Sequence, residues 1–476
     1  MRPMIERTVR EHRRALDAGE YSSLELTRAF LARIEEVDPM VGAFLTVDAE
    51  GALRAARESD ARIASGTSRG ILEGIPYAIK DNFCTKGIRT SCASRMLENF
   101  VPPYDATVVE KLRDAGAVLL GKLNLDEFAM GSSGEHSAFG VTRNPYDSRY
   151  VAGGSSGGAA AAVAANEAVF AIGSDTGGSV RQPAAFCGTV GLKPTYGRIS
   201  RYGMIALASS LDCVGLLTRS AEDAALLLEL LEGEDGRDAT GRTFQEMGKP
   251  MSDSRLRVAV IPALAKGDAV SLEITAAVER AIAVLQRHGA EVGEIELPAP
   301  EQALAAYCVL SAAEAASNMA RFDGVRYGKR SEDFDGLISV YANTRGEFLG
   351  EEVKRRILFG TYMLSKRNRA RYYDSALEMR ETIRERLKET FAQYDMILSP
   401  TAPTEAFLVG AEESPAQRRR ADLCAVYASL AGLPAISVPF GTSRAGLPLA
   451  VQLTAAPFAE TKLLRVARVL EKDASD

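Results

Sequence analysis

The sequence predicts an α/β protein, a β-sheet with helices packed on its faces, from three features. From Gly74 onward short apolar runs alternate with amphipathic ones, as where the helical TVVEKLRDAGA (107–117) leads into the strand VLLGK (118–122). Elements of those two kinds in alternation bury their apolar faces as a sheet flanked by helices. A second strand–helix–strand unit runs from LRVAVI (256–261) through a helix carrying Ile274, Val278, Ile282 and Leu285, past Gly289, to EVGEIEL (291–297). Three more apolar runs, MILSP (396–400), AISVPF (435–440) and LAVQLT (449–454), have the length of buried strands.

Ahead of the sheet the chain reads as helix. Ser22 with Glu25 makes a capping box, Leu26, Phe30, Ile34 and Val37 form an apolar stripe, and Pro39 is expected to end the helix. The least apolar join, Gly233 to Ser254, reads as a surface excursion. About residues 300–390 are helix-like with clustered polar residues, as in EAASNMARFDGVRYGKR and GEEVKRRILFGTYMLSKR, and read as a helical insertion beside the sheet. With no internal repeat and no separating linker, residues 1–476 read as a single domain.

Composition narrows the class. Hydrophobic content of 46% with 25% charged residues is that of an ordered globular enzyme. A formal net charge of -6 provides no whole-chain basic field, which argues against an independent nucleic-acid binder. The run Gln417-Arg418-Arg419-Arg420 could form a local patch that touches a phosphate, but a solvated turn is the favoured reading. The N-terminus is dense in both charge signs and no run of ~18 apolar residues occurs, so a cytoplasmic protein without membrane attachment is expected. Cys84, Cys92, Cys187, Cys213, Cys308 and Cys424 are scattered without C-x-x-C pairs and read as buried thiols, with neither disulfides nor zinc expected.

The chemistry concentrates in AGGSSGGAAAAVAANEAVFAIGSDTGGSVRQPAAFCG (152–188), which holds two serine-bearing glycine turns, each followed by a helix-compatible run. Glycines permit tight turns, and a helix start leaves amide N–H groups free to hold a developing negative charge. Neither Gly-x-x-x-x-Gly-Lys-Ser/Thr nor Gly-x-Gly-x-x-Gly is present, so no nucleotide fingerprint competes, and two purely structural turns are the alternative. If Ser179 is a nucleophile, its base is hard to find among three histidines: His12 and His288 read as surface residues, leaving His136. Lys80, at the end of the apolar strand in GIPYAIKDNF, offers another base, because desolvation pushes an ammonium toward the neutral amine. Its alternative is a strand-end lysine reaching solvent.

The pieces GIPYAIKDN, VAGGSSGG and GSDTGGSVRQPAAFCGTVGLKPT, in this order and spacing, closely resemble the amidase signature family. The resemblance implies that family's fold, a large mixed central β-sheet covered on both faces by α-helices, with N-terminal helices over about 1–67, a signature core over about 68–220 and the helical insertion. It implies a Ser-cisSer-Lys triad with Ser179 as nucleophile, Ser155 as bridging serine after a cis peptide bond, and Lys80 as base. Backbone N–H groups of Thr176, Gly177, Gly178 and Ser179 would form the oxyanion hole.

Within the family, DEFAMGSS, SRYGMIALASSLD, EAASNMARFDGVRYG, GEEVKRRILFGTY and LAGLPAISVPFG are most similar to the glutaminase branch that serves tRNA-dependent amidotransferases. That branch implies glutamine as substrate, bound by Tyr307, Arg356 and Asp422, with Arg356 on the α-carboxylate and Asp422 on the α-ammonium. It implies two partner subunits, B and C, with tRNA held mainly by B. Metal and cofactor are expected to be absent from this chain, ATP and magnesium belonging to the partner. The chain departs from the branch at Gly134 and His136 of Ser133-Gly134-Glu135-His136, at Cys213, and at Tyr427 and Ser429 ahead of LAGLP. A stand-alone amidase acting on another small amide is therefore the runner-up.

Overall fold

The computed structural model of the chain describes residues 3–241, 255–411 and 420–474. Among them the apolar runs pair into a mixed sheet: β1 (Phe44–Val47), β2 (Pro76–Lys80), β3 (Val118–Leu123), β4 (Phe170–Asp175), β5 (Val190–Lys193), β6 (Cys213–Thr218), β7 (Arg257–Val260), β8 (Glu291–Glu294), β9 (Met396–Pro400), β10 (Ala435–Thr442) and β11 (Pro448–Ala455). Their order across the sheet is β1-β3-β2-β4-β6-β5-β10-β11-β9-β7-β8. β2 runs parallel to β3 and β4, β7 runs parallel to β8 and β9, and the remaining neighbours are antiparallel. Two of these parallel pairs join consecutive strands and need a crossover, and the two helices expected from the sequence supply them: Thr107–Asp114 between β2 and β3, and Leu272–Arg287 between β7 and β8.

Every residue of β2, β4, β6 and β11 is buried. Side chains alternate across a strand, so both faces of the sheet's interior are covered. The helix Gly157–Ala164 is packed inside the molecule, its alanines Ala159 to Ala162 fully buried. Its start presses on neighbouring backbone: a Cβ on Gly158 would fall 2.5 Å from the Asn124 carbonyl oxygen and 2.6 Å from that of Ala43. This approach sets the first glycine turn against the end of β3.

The helices Pro300–Asn318, Leu337–Phe348, Glu351–Leu364 and Ser375–Gln393 occupy the region read as an insertion. Tyr307, Leu310, Val353, Ile383 and Leu387 join Leu125, Phe128 and Ile397 in an apolar cluster separate from the one that covers most of the sheet. Pro300–Asn318 and Glu351–Leu364 cross so closely that a Cβ on Gly360 would sit 2.0 Å from the Ala312 carbonyl oxygen.

The structure corrects two local expectations. The N-terminal helix runs Ser23–Val41, through Pro39, and stops at Gly42, which is left-handed (φ 68°). A proline this near the C-terminus removes only one helical hydrogen bond, and the left-handed glycine is the effective stop. His12 is fully buried, not a surface residue, because Val9, His12 and Leu16 share the inward face of the helix Val9–Asp17. Its Nδ1 lies 2.9 Å from the Tyr21 hydroxyl, and burial pushes its pKa down to about 3. His288 is exposed, as expected.

Of the excursion, residues 233–241 lie at the surface, with Arg201 Nε donating to Asp238 Oδ2 at 2.9 Å; residues 242–254 lie outside the described ones, as do Gln417, Arg418 and Arg419. None of the six cysteines forms a disulfide; five are buried and Cys308 is half-buried. No helix among the described residues is long and apolar enough to cross a membrane.

The tight crossing generates a test. Gly360→Ala is expected to lower unfolding stability by about 1–3 kcal/mol, the usual cost of overpacking. Gly346→Ala, in a helix where the added Cβ meets nothing within 4 Å, is expected to leave stability unchanged or raise it by up to about 1 kcal/mol. Denaturant unfolding of both variants measures the contrast.

Candidate active site

Lys80 closes β2 with no solvent exposure, its register partner on β3 being Leu123. Its Nζ lies 2.8 Å from Ser155 Oγ, 2.9 Å from Ser156 Oγ and 2.9 Å from Ser174 Oγ. Asn82 Nδ2 donates to Ser174 Oγ at 3.0 Å, and Ser156 Oγ donates to the Ser174 carbonyl at 3.1 Å. Burial pushes the Lys80 pKa down to about 7 from 10.5, against the opposing pull of Asp126, Asp175 and Asp212. Just behind it Asp81 Oδ2 accepts from the Ser91 N–H (2.7 Å) and hydroxyl (2.6 Å), and Lys122 Nζ lies 3.3 Å from Asp81 Oδ1, all buried. The alternative of a strand-end lysine reaching water is thereby excluded.

The peptide bond Gly154–Ser155 is cis. Gly154 lies against Asp126: a Cβ there would fall 2.0 Å from Asp126 Oδ2. Asp126 also accepts from the N–H groups of Gly134 (Oδ2) and His136 (Oδ1), both at 3.1 Å, tying that loop to the first glycine turn. His136 thus contributes its backbone; its ring makes no hydrogen bond to the described residues.

The second turn is built on Asp175, the last residue of β4. Arg181 donates to it from Nε and Nη2, both at 3.0 Å, with both side chains wholly buried. Arg181 continues to the Ala425 carbonyl (3.0 Å), Gln452 Oε1 (2.6 Å) and Ser429 Oγ (3.0 Å), so Ser429, one of the departures, serves this network. Ser179 is 6% exposed, the Ser156 N–H donates to its carbonyl at 3.0 Å, and the helix Arg181–Phe186 begins two residues later. The Lys80–Ser155 leg of the expected relay is closed; a hydrogen bond between the Ser155 and Ser179 hydroxyls is not among those the described residues form.

The oxyanion expectation needs one correction. The Gly178 N–H donates to Asp175 Oδ1 at 2.9 Å and is therefore already committed, since a buried carboxylate at the turn competes for it. The N–H groups of Thr176, Gly177 and Ser179 make no hydrogen bond to the described residues. Thr176 is held by its hydroxyl, which donates to Asp212 Oδ1 at 2.7 Å; burial raises the Asp212 pKa to about 6.

Tyr307, Arg356 and Asp422 come together from three separate segments. A Cβ on Gly177 would fall 2.4 Å from the Tyr307 hydroxyl, and one on Gly178 would fall 3.7 Å from Asp422 Oδ1. The Tyr307 pKa is raised, by burial first and by Asp422 next, while Arg356 acts in the opposite sense, so all three groups share one environment. Arg356 Nε donates to Glu352 Oε1 at 2.8 Å. Among the departures, Gly134 is left-handed (φ 78°), buried Cys213 lies 3.9 Å from Lys193 Nζ, and Tyr427 donates to the Pro298 carbonyl. Sequence reasoning missed Ser156, Ser174, Asn82, Asp126, Asp175, Arg181 and Asp212. For Asn82, Ser156, Ser174, Asp175 and Arg181 the signal was adjacency in sequence to Lys80, Ser155 and Ser179, whereas Asp126 and Asp212 are brought in from distant loops. Among the described residues no cluster of three or more His, Cys, Asp or Glu side chains is arranged to hold a metal ion.

A buried lysine amine on a serine hydroxyl, beside a second serine on a turn with free amides, has the groups that acyl transfer requires. The Amidase family pattern matches residues 25–464, and the chain belongs to that family. It is 51% identical over 461 residues to the A subunit of the glutamyl-tRNA(Gln) amidotransferase from Symbiobacterium thermophilum, covering 96% of this chain and 94% of that protein. The crystal structure of the A subunit of the glutamyl-tRNA(Gln) amidotransferase from Thermotoga maritima superposes with a TM-score of 0.80 at 41% identity, covering 99% of this chain and 95% of that one. The peptide amidase of Stenotrophomonas maltophilia superposes at 0.81 with 31% identity, covering 99% and 98%. The fold is the one the motifs implied.

The depressed lysine has a measurable consequence. Between pH about 7 and 10.5 the folded protein carries Lys80 neutral while the unfolded chain carries it protonated. The unfolded state then binds more protons, so this group's contribution to stability rises with pH across that window. Relative to Lys80→Met, the wild-type protein is expected to gain unfolding free energy from pH 7 to 10, measured by denaturant unfolding at each pH; a flat difference would refute the neutral amine.

Proposed function

We propose that this chain is the glutaminase subunit of a tRNA-dependent amidotransferase, hydrolysing glutamine through an acyl-enzyme on Ser179. The observation that carries it is the 2.8 Å contact between the Lys80 amine and Ser155 Oγ, buried from solvent and adjoining the Ser179 turn. Identity near 50% over almost the whole chain supports the amidotransferase reading over a stand-alone amidase.

In this mechanism rotation of the Ser179 hydroxyl brings it to Ser155. Ser155 passes a proton to neutral Lys80 as it takes one from Ser179, because a hydroxyl donates and accepts at once. Ser179 Oγ attacks the side-chain amide carbon, and the oxyanion is held by the N–H groups of Thr176, Gly177 and Ser179, an arrangement worth a factor of about 100 or more. Collapse returns the proton from Lys80 through Ser155 to the departing nitrogen, releasing ammonia. Water then cleaves the ester by the same route, leaving glutamate. Arg356 pairs with the α-carboxylate and Asp422 with the α-ammonium, while Tyr307 packs beside the oxyanion turn.

The ammonia is used in a partner subunit, B, which holds the tRNA and with ATP and magnesium activates glutamyl-tRNA(Gln), or aspartyl-tRNA(Asn), in the cytoplasm. A small third subunit, C, completes a heterotrimer.

Ser179→Ala in the assembled enzyme is expected to abolish ammonia release from glutamine while leaving ammonium-dependent amidation of glutamyl-tRNA within about twofold of wild type; loss of both activities would contradict the division of labour. Since Lys80 must be neutral, kcat/KM for glutamine is expected to rise with pH through about 7. Rapid hydrolysis of diverse amides by the isolated chain, with glutamine ignored, would favour the stand-alone amidase instead.

A further inference from the structure

Glu127 is 3% exposed and lies outside every role assigned above. The Ser94 hydroxyl donates to its Oε1, and the Gly350 N–H donates to its Oε2 at 2.8 Å. Gly350 is the N-cap of the helix Glu351–Leu364, which has no side-chain cap of its own. The first N–H groups of a helix have no partner within it, and its N-terminus favours a negative charge. A residue more than two hundred positions away in the chain therefore caps the helix that carries Arg356.

The fit leaves no slack. A Cβ on Gly350 would fall 2.2 Å from Glu127 Oε2. Further along the same helix Gly360 is pinned on the Ala312 carbonyl of the helix carrying Tyr307. Arg356 lies between these two fixed points. Glu127 in turn belongs to the segment that holds the catalytic end of the sheet: its N–H donates to the His136 carbonyl at 3.3 Å, and the neighbouring Asp126 N–H donates to the Ser155 carbonyl at 3.4 Å.

We propose that Glu127 is a positioning residue for substrate recognition, fixing the helix Glu351–Leu364 to the Ser155 segment so that Arg356 is set at the correct distance from Ser179 for the α-carboxylate. This rests on the reading of Arg356 as the carboxylate clamp. The interaction does not need a full charge. An amide at this position accepts from the Gly350 N–H through its oxygen and donates to Ser94 Oγ through its nitrogen.

The test uses the full chain assembled with its partner subunits and two substrates, glutamine and propionamide, which shares the amide but lacks the α-groups. Glu127→Ala is expected to raise KM for glutamine by about ten-fold or more, with kcat and propionamide hydrolysis within about twofold of wild type. Glu127→Gln is expected to restore KM. Gly350→Ala should match Glu127→Ala, and the double variant should be no worse than either, because the atom the new methyl strikes is gone. Hydrogen exchange of the amides at 351–356 should accelerate in Glu127→Ala and not in Glu127→Gln. Unchanged KM and exchange in Glu127→Ala, or equal losses on both substrates, would overturn the proposal. A wild-type enzyme that hydrolyses propionamide but ignores glutamine would instead sink the functional reading, and the exchange measurement would still decide whether Glu127 holds the helix.

Discussion

Lys80 Nζ sits within 2.9 Å of three serine hydroxyls and away from all solvent. Hydroxyls replace only part of the hydration an ammonium loses on burial, so the neutral amine gains relative to the charged one. Much of the surrounding architecture keeps that amine dry and its neighbours in place. The interior strands are buried on both faces, the alanine helix Gly157–Ala164 presses on the backbone at the end of β3, and Asn82 fixes Ser174 from the side.

Around the amine, buried carboxylates act as struts. Asp81, Asp126, Asp175 and Asp212 each accept from backbone N–H groups of the loops they adjoin. A buried carboxylate with several such donors is costly to move, because every displaced bond leaves a polar group without water to replace it. Asp175 illustrates both sides of this: it orders the Ser179 turn with Arg181 and also takes the Gly178 amide that the oxyanion hole was expected to use.

Two bodies of structure meet at the site. The sheet supplies Lys80 at the end of β2 and the two glycine turns supply Ser155 and Ser179, whereas Tyr307 and Arg356 come from the helices of residues 300–393 and Asp422 from the segment before the helix Val426–Ala431. The halves meet where glycine permits it, Tyr307 on Gly177 and Glu127 on Gly350. A side chain at either glycine would push the two bodies apart by about an atom's width.

What the linear sequence determined is the local chemistry and the elements: alternating strands and helices, two glycine turns each opening a helix, and a lysine ending an apolar strand. Those signals are written in neighbouring residues, so short-range sterics and periodicity suffice to read them. It misjudged Pro39, because a left-handed glycine three residues later decides where that helix ends, and His12, because charged neighbours masked an inward-facing stripe. Only the tertiary structure decided which polar groups are buried together. Ser174 beside Lys80, Ser429 on Arg181, and Tyr307 against Gly177 are contacts between residues whose separation along the chain carries no pattern, fixed by which strands pair and how closely the helices pack.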